Sequence, residues 1–305
     1  MTQGAGRKQR IIPFQGDFPA MGDTRQELLS FQEHRHDGAG LTYVYPVLSR
    51  RAGGLSIGVN LNVNRACNWT CVYCQVENLR RGGPPPVDLA LLEREMTDFL
   101  RGVVAGDYLE RHLPQGFRRL ADIAFSGEGE PTSAAEFRET VAVVGAALAR
   151  FGLQGKVPLR LITNGSLTHR AEVQEGLLQL AALAGEVWFK LDRADAKGRW
   201  QTNATRQSAE QAYVNLRACA ERVPTWLQTC WFLHEGRPPD MEACAAYLAF
   251  VKKAAPLIQG VRLYGLARAS RQVGAEALAP LPVADLEAWG ARIRADTGVL
   301  VWVSP

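Results

Sequence analysis

No stretch of these 305 residues approaches the roughly 20 consecutive apolar residues of a membrane helix, and residues 1–14 contain no apolar run of signal-peptide length. A cytoplasmic protein is expected, where thiols stay reduced and clustered cysteines favour metal over disulfide. Net charge is scarce too: 35 Lys and Arg against 31 Asp and Glu leave only +4. The basic residues Arg7, Lys8 and Arg10 and the pairs Arg50-Arg51, Arg80-Arg81 and Arg118-Arg119 are scattered, and a nucleic-acid footprint would need them on one face. No repeat or low-complexity segment argues for an array or a disordered chain. Cysteine is sparse, six in all, yet three of the six lie within eight residues. No fourth Cys or His occurs between Ala52 and Leu109, which argues against a zinc finger built on those three.

The three are Cys67, Cys71 and Cys74, at Cys-x-x-x-Cys-x-x-Cys spacing, just after the alternating run Ile57 to Val63. Three thiolates on one short loop can hold three irons of a cubane cluster, which ordinarily takes four cysteines. The fourth iron would then stay open to another ligand.

Residues 1–54 read as an N-terminal extension, because Gly, Pro and charges interrupt each apolar run. His34 and His36, polar and Gly-flanked, read as solvated side chains or as metal ligands. Residues 55–305 read as one domain. Strands are expected at Ile57–Val63, Ala121–Phe125, Leu159–Thr163, Glu186–Leu191, Thr225–Phe232, Val261–Leu266 and Val299–Val303. Helices are expected between them, at Leu89–Val104, Ala134–Phe151, Ala171–Ala184, Ser208–Glu221, Met241–Ala254 and Ala284–Asp296. That alternation calls for an α/β fold, a partial (β/α)6 TIM-like barrel of parallel strands.

In such a barrel the ligand site lies at the carboxyl ends of the strands. The loops there are Cys67–Cys74, Ser126–Thr132, Thr163–Ser166, Lys190–Arg193, His234–Gly236 and Gly265–Arg268. Gly127 and Gly129 let backbone approach a ligand, and Glu128 and Glu130 offer carboxylates to a zwitterion's amino group. On the fourth strand Trp188, Lys190 and Asp192 share one face, which turns Lys190 and Asp192 inward if the apolar face packs on helices. A buried lysine needs a partner, so three readings stand for Lys190: cofactor binding, a structural ion pair, or a covalent catalytic role. Asn60, Asn62 and Asn64 share a face of the first strand, and Arg262, Tyr264 and Arg268 one of the sixth. Gln228 and Cys230 oppose Thr229 and Trp231 on the fifth strand, and parity alone leaves open which pair faces inward.

From about Leu55 to Leu266 these features resemble the radical S-adenosylmethionine (radical SAM) superfamily. Cys67, Cys71 and Cys74 match its cluster triad, with its aromatic, here Tyr73, before the last cysteine. The Ser126-Gly127-Glu128-Gly129 run, followed by Glu130, is similar to the family's Gly-Gly-Glu element. Asn164 and Ser166 stand in the Thr-Asn-Gly-Ser segment, where relatives contact the cofactor. Within the superfamily, the Cys-Asn-x-x-Cys-x-Tyr-Cys-Gln wording is most like the group that includes the 4-demethylwyosine synthases.

The resemblance implies a 4Fe-4S cluster and S-adenosyl-L-methionine as cofactors, and reduction by flavodoxin or ferredoxin. It also implies a 5′-deoxyadenosyl radical that abstracts hydrogen from a substrate. Metal ligands would be Cys67, Cys71 and Cys74. Cofactor contacts would be Tyr73, Gly127, Glu128, Gly129, Glu130, Asn164, Ser166, Lys190 and Arg268, with Lys190 and Asp192 catalytic. The substrate is a tRNA base on one branch, and a small molecule or peptide on the other. The additional N-terminal cysteines of archaeal wyosine synthases are absent here. Cys219, Cys230 and Cys244 fall on three separate elements and read as buried thiols or as a second cluster site. A non-enzymatic zinc or RNA-binding protein is the reading from a different class.

Overall fold

The computed structural model describes residues 28–29, 40–49 and 52–305. His34, His36, Arg7, Lys8, Arg10, Arg50 and Arg51 lie outside the described residues. Eight strands form one sheet in chain order: β1 (Val44–Ser49), β2 (Gly54–Val59), β3 (Leu120–Phe125), β4 (Leu159–Thr163), β5 (Glu186–Lys190), β6 (Thr225–Cys230), β7 (Gly260–Tyr264) and β8 (Val301–Ser304). From β2 to β8 every pairing is parallel, and β1 runs antiparallel to β2.

Among the described residues seven helices of eight residues or more make the crossovers: α1 (Leu89–Val104), α2 (Phe137–Arg150), α3 (Ala171–Ala182), α4 (Ala196–Asn203), α5 (Ala209–Ala220), α6 (Met241–Ala254) and α7 (Val283–Thr297), with a further short helix at Tyr108–His112. Six strand-helix units therefore run from β2 to α7. Because β1 and β8 end the sheet without pairing to each other, the expected partial (β/α)6 barrel is open on one side. Among the described residues no helix is long and apolar enough to cross a membrane.

Local chemistry places these helices. Asp88, Ser208 and Asp240 cap α1, α5 and α6 by accepting from backbone N–H groups three residues on. Leu92, Met96, Phe99, Leu100 and Val103 form the buried stripe of α1. Outward-facing strand residues, among them Ile57, Phe125, Leu161, Phe189, Leu227 and Leu263, pack with the helices into one core.

The alternate residues point into the barrel, and its amino-terminal end is filled. Arg160 binds Asp122 and reaches Glu186 at 2.6 Å, while Ser56 donates to Asp122. The guanidiniums of Arg160 and Arg262 lie 4.9 and 4.4 Å from the Trp188 ring, and Arg262 is 4.5 Å from Trp226. This plug leaves the carboxyl ends of the strands as the open end.

Three expectations are corrected. The segment before residue 54 supplies a core strand, β1, whose Val44, Tyr45, Val47 and Leu48 are buried. It is anchored by Glu95 of α1, which accepts from the backbone N–H groups of Thr42, Tyr43 and Val44 at 2.7–3.2 Å. The first parallel strand ends at Val59 rather than Val63, since Asn62 donates to the Ala66 carbonyl at the start of the cysteine loop and Asn60 accepts from the Glu128 N–H of the loop after β3. The fifth ends at Cys230, and Phe232–His234 pairs separately with Leu278–Pro280.

Candidate functional site

The cysteine loop is held from several sides. Ala66–Cys67 pairs with Arg80–Arg81, and the Cys74 N–H donates to the Cys71 carbonyl at 3.0 Å. Ser270 and Gln272, beyond β7, donate to the carbonyls of Val72 and Val76 at 2.6 and 2.7 Å. From α4 the Thr202 carbonyl accepts from the Val72 N–H at 2.9 Å. The three thiols border a cavity of about 670 Å³ at the carboxyl ends of the strands. That size suits a cofactor-scale ligand.

Burial pushes the Cys67 thiol up to about 11 and Cys71 to about 12, and raises Cys74 as well. Such thiols ionise readily only when a metal takes them. Among the described residues no three His, Cys, Asp or Glu side chains converge on a point that could hold a single metal ion. A cubane makes no such demand, because each cysteine binds a different iron.

The loop after β3 lies beside the cysteines, and its glycines are required by close approach. A Cβ on Gly129 would overlap the Ala66 carbonyl oxygen and stand 2.5 Å from the Asn62 amide. Gly127 has φ +142° and would place a Cβ 2.5 Å from Asn60 Oδ1. Glu128 borders the cavity, receives Asn60 Nδ2 at 3.2 Å and meets Arg65 at 3.3 Å.

Glu130 differs from Glu128. Its carboxylate accepts from Thr132 N and Oγ1, from Thr163 Oγ1 and from the Asn164 N–H, at 2.5–3.2 Å. It is a brace between the β3 and β4 loops, and burial raises its pKa. Its side chain was expected to meet a ligand's amino group, but both oxygens are engaged by the protein itself.

Asn164 borders the cavity and donates to Asn68 Oδ1 at 2.7 Å. Ser166 stands behind it, donating to Asn164 Oδ1 at 2.7 Å and accepting from Asn68 Nδ2 at 2.8 Å. Ser166 therefore orients Asn164 and does not line the cavity.

Lys190 enters the cavity from β5 with its Nζ 3.0 Å from the Tyr264 hydroxyl and 5.0 Å from the Tyr73 ring centroid. Burial works against its charge, but Tyr264, Asp192 and Cys71 outweigh it and hold the amine protonated. Asp192, expected beside Lys190, does not border the cavity. Its Oδ2 accepts from Tyr73 at 2.5 Å and Asn203 at 2.8 Å, and its Oδ1 from the Cys230 N–H at 2.8 Å. It ties the cysteine loop to the barrel.

On β6 the parity question is settled: Gln228 and Cys230 face the cavity, while Thr229 bonds Tyr247 of α6 and Trp231 stacks on Trp289 of α7. Arg268 lines the rim and donates to Gln75 Oε1 at 3.3 Å. Cys219 is bonded to Thr225 and Cys244 to the Pro239 carbonyl, so the remaining cysteines engage separate partners.

Three further residues, to which the sequence assigns no role at the site, contribute to it. Tyr45 comes from β1, where its ring covers Gly58, and its hydroxyl lies 2.9 Å from Ser126 Oγ. Asn68 holds Asn164 and Ser166. Asn203, at the end of an unforeseen helix, donates to Cys71 Sγ at 3.2 Å.

No protein-family model matches the chain. The GTPase Obg of Brachyspira hyodysenteriae is 25% identical over 160 residues, 51% of this chain and 20% of that protein. UPF0026 protein MJ1312 of Methanocaldococcus jannaschii is 28% identical over 155 residues, 50% of this chain and 40% of that protein. The aligned regions thus span less than half of either curated relative. The phosphate-binding run Gly-x-x-x-x-Gly-Lys-Ser/Thr does not occur in this chain, so GTP chemistry is not carried over.

Solved structures match over more of the chain. A radical SAM methyltransferase from Sphaerobacter thermophilus superposes with TM-score 0.58 at 12% identity, covering 86% of this chain and 68% of that one. SuiB of Streptococcus suis bound to S-adenosylmethionine gives 0.52 at 12%, covering 84% and 52%. TYW1 with a lysine-pyruvate adduct bound gives 0.51 at 14%, covering 81% and 74%. At these identities the likeness is one of fold, and that fold is the radical SAM partial barrel.

Proposed function

We propose that the chain is a radical SAM enzyme, in which Cys67, Cys71 and Cys74 bind three irons of a 4Fe-4S cluster. S-adenosyl-L-methionine would occupy the adjoining cavity. The observation that carries this reading is the meeting of the cysteine loop, the close-packed Gly127–Gly129 loop, Asn164 and Lys190 on one cavity. The buried thiols fit a group that ionises them, and the loop fits an approaching ligand that tolerates no Cβ. When bound, the pair supplies a 5′-deoxyadenosyl radical on one-electron reduction of the sulfonium, with flavodoxin or ferredoxin as donor.

This chain's residues hold and orient. Glu128 is the carboxylate offered to the methionine amino group, and Glu130 holds the loop that presents it. Asn164, held by Asn68 and Ser166, offers its amide to the ribose or carboxylate. Lys190 keeps a positive charge beside Cys71 and Tyr264, where it offsets the negative charge of cluster and cofactor carboxylate. Tyr45, Tyr73 and Trp69 give the cavity an aromatic wall that limits water.

A tRNA base is the substrate reading the surface supports best. Arg80 and Arg81 follow the cysteine loop, and the Arg81 guanidinium donates to the Ala204 carbonyl at 2.8 Å. Ala204 is followed two residues on by exposed Arg206, whose guanidinium lies 5.4 Å from the ring centroid of exposed Trp200. Residues 78–87 and 196–209 contain no acidic side chain, and Lys197 adds a further exposed cation. Cations around an accessible ring suit phosphates and an unstacked base.

Two assays test the function. Reduced, cluster-loaded protein with S-adenosylmethionine should release 5′-deoxyadenosine and methionine, and its absence contradicts the enzyme reading. Unmodified tRNA should bind with affinity that falls steeply with salt and weakens in Arg81→Ala/Arg206→Ala. Flat salt dependence would turn the substrate reading to a small molecule or peptide.

A further inference from the structure

The three cluster thiols do not receive hydrogen bonds in the same way. Cys67 Sγ accepts from the Trp69 backbone N–H at 3.4 Å, and the backbone N–H groups of Gln75 and Val76 are near enough to Cys74 to favour its thiolate. Those donors belong to the loop and come with its fold. Cys71 Sγ accepts instead from the side-chain amide of Asn203 at 3.2 Å, 132 residues away in sequence.

That amide is oriented from behind. Its nitrogen also donates to Asp192 Oδ2 at 2.8 Å, and Asp192 is pinned by Tyr73 and the Cys230 N–H. An –NH₂ group has two hydrogens, so one can serve each acceptor. With a carboxylate taking one hydrogen, the nitrogen rather than the oxygen must face the sulfur. Asn203 is itself buried, at 1% exposure, and ends α4, whose Thr202 carbonyl holds the cysteine loop at Val72. The donor is thus fixed in place and shielded from water, where an N–H···S bond acts most strongly.

We infer that Asn203 is a positioning residue that sets the cluster's reduction potential through its hydrogen bond to Cys71. This rests on the function proposed above. A donor at a thiolate stabilises the more negative, reduced cluster, so the bond raises the potential and eases electron transfer from the donor protein. Asp192 acts one step further out, by holding the amide.

The experiment uses the full chain, reconstituted anaerobically with iron and sulfide, and reads the midpoint potential by EPR-monitored titration alongside iron and sulfide content. Asn203→Leu and Asn203→Ser both remove the amide donor. Either variant should keep the wild-type metal content while its potential moves negative. Ser270→Ala, which loosens the same loop without touching a sulfur, should leave the potential unchanged. An unchanged potential in a loaded Asn203 variant overturns the inference, as does an equal shift in Ser270→Ala. Loss of iron from both Asn203 variants while the wild type is loaded also overturns it, assigning Asn203 to holding the loop. A wild-type chain that takes up no iron and sulfide defeats the underlying function and the inference with it.

Discussion

Tyr73 donates its hydroxyl to Asp192 Oδ2 at 2.5 Å, joining the cysteine loop to the carboxyl end of β5 across 119 residues. The phenol is buried and its pKa is raised well above the ordinary tyrosine value, first by burial and then by the Asp192 charge. It is therefore a donor throughout the working range. Tyr73→Phe leaves a buried carboxylate short of one partner, a loss of about 1–3 kcal/mol. A lower Tm and weaker retention of iron are expected, and an unaltered Tm would contradict the tie.

Close packing predicts the behaviour of the glycine loop. Gly129→Ala must displace backbone at Ala66, beside Cys67, whereas Gly116 has nothing within 4 Å of an added Cβ. Gly129→Ala should cost about 1–3 kcal/mol by overpacking and lower S-adenosylmethionine binding in equilibrium dialysis. Gly116→Ala should change neither, and equal effects from both would contradict the account.

A pH signature follows from Glu130. Burial raises its pKa in the folded chain above the ordinary value of about 4.5. Between those two values the folded state holds a proton that the unfolded state has released, so stability falls as pH rises through the window and is fullest below it. Glu130→Gln has no such proton. The Tm of wild type relative to Glu130→Gln should therefore fall as pH rises through the window. A constant offset at every pH would contradict it.

The edge strand makes a fourth prediction. Tyr45 sits opposite Gly58, and a Cβ on Gly58 would overlap the Tyr45 ring. Gly58→Ala should destabilise the chain, and Gly58→Ala/Tyr45→Ala should recover part of that loss, a coupling that a double-mutant cycle in denaturant measures. Additive effects would place Tyr45 elsewhere.

Much of the barrel was legible because its signals are local. Leu89–Val104 and Met241–Ala254 start at Asp caps and carry apolar stripes, and the strands alternate with helices at regular spacing. The strand Val44–Ser49 was hidden by Pro46, which a central strand would not tolerate but an edge strand can. Helix Ala196–Asn203 is only eight residues long, with a glycine and polar side chains, so it shows no period.

The site divides the same way. Lys190, Asn164 and Gly127–Glu128 were readable as polar groups at strand ends. What Glu130, Asp192 and Ser166 do was not, because their partners Thr163, Tyr73, Asn203 and Asn68 are brought near by the fold alone.

The most direct test of the central claim is metal and sulfide analysis of the chain after anaerobic reconstitution, for wild type and Cys71→Ala. About four irons and four sulfides per chain, with the brown absorption of a cubane lost in the variant, is the predicted result. A colourless protein carrying zinc, or iron retained in Cys71→Ala, would contradict it.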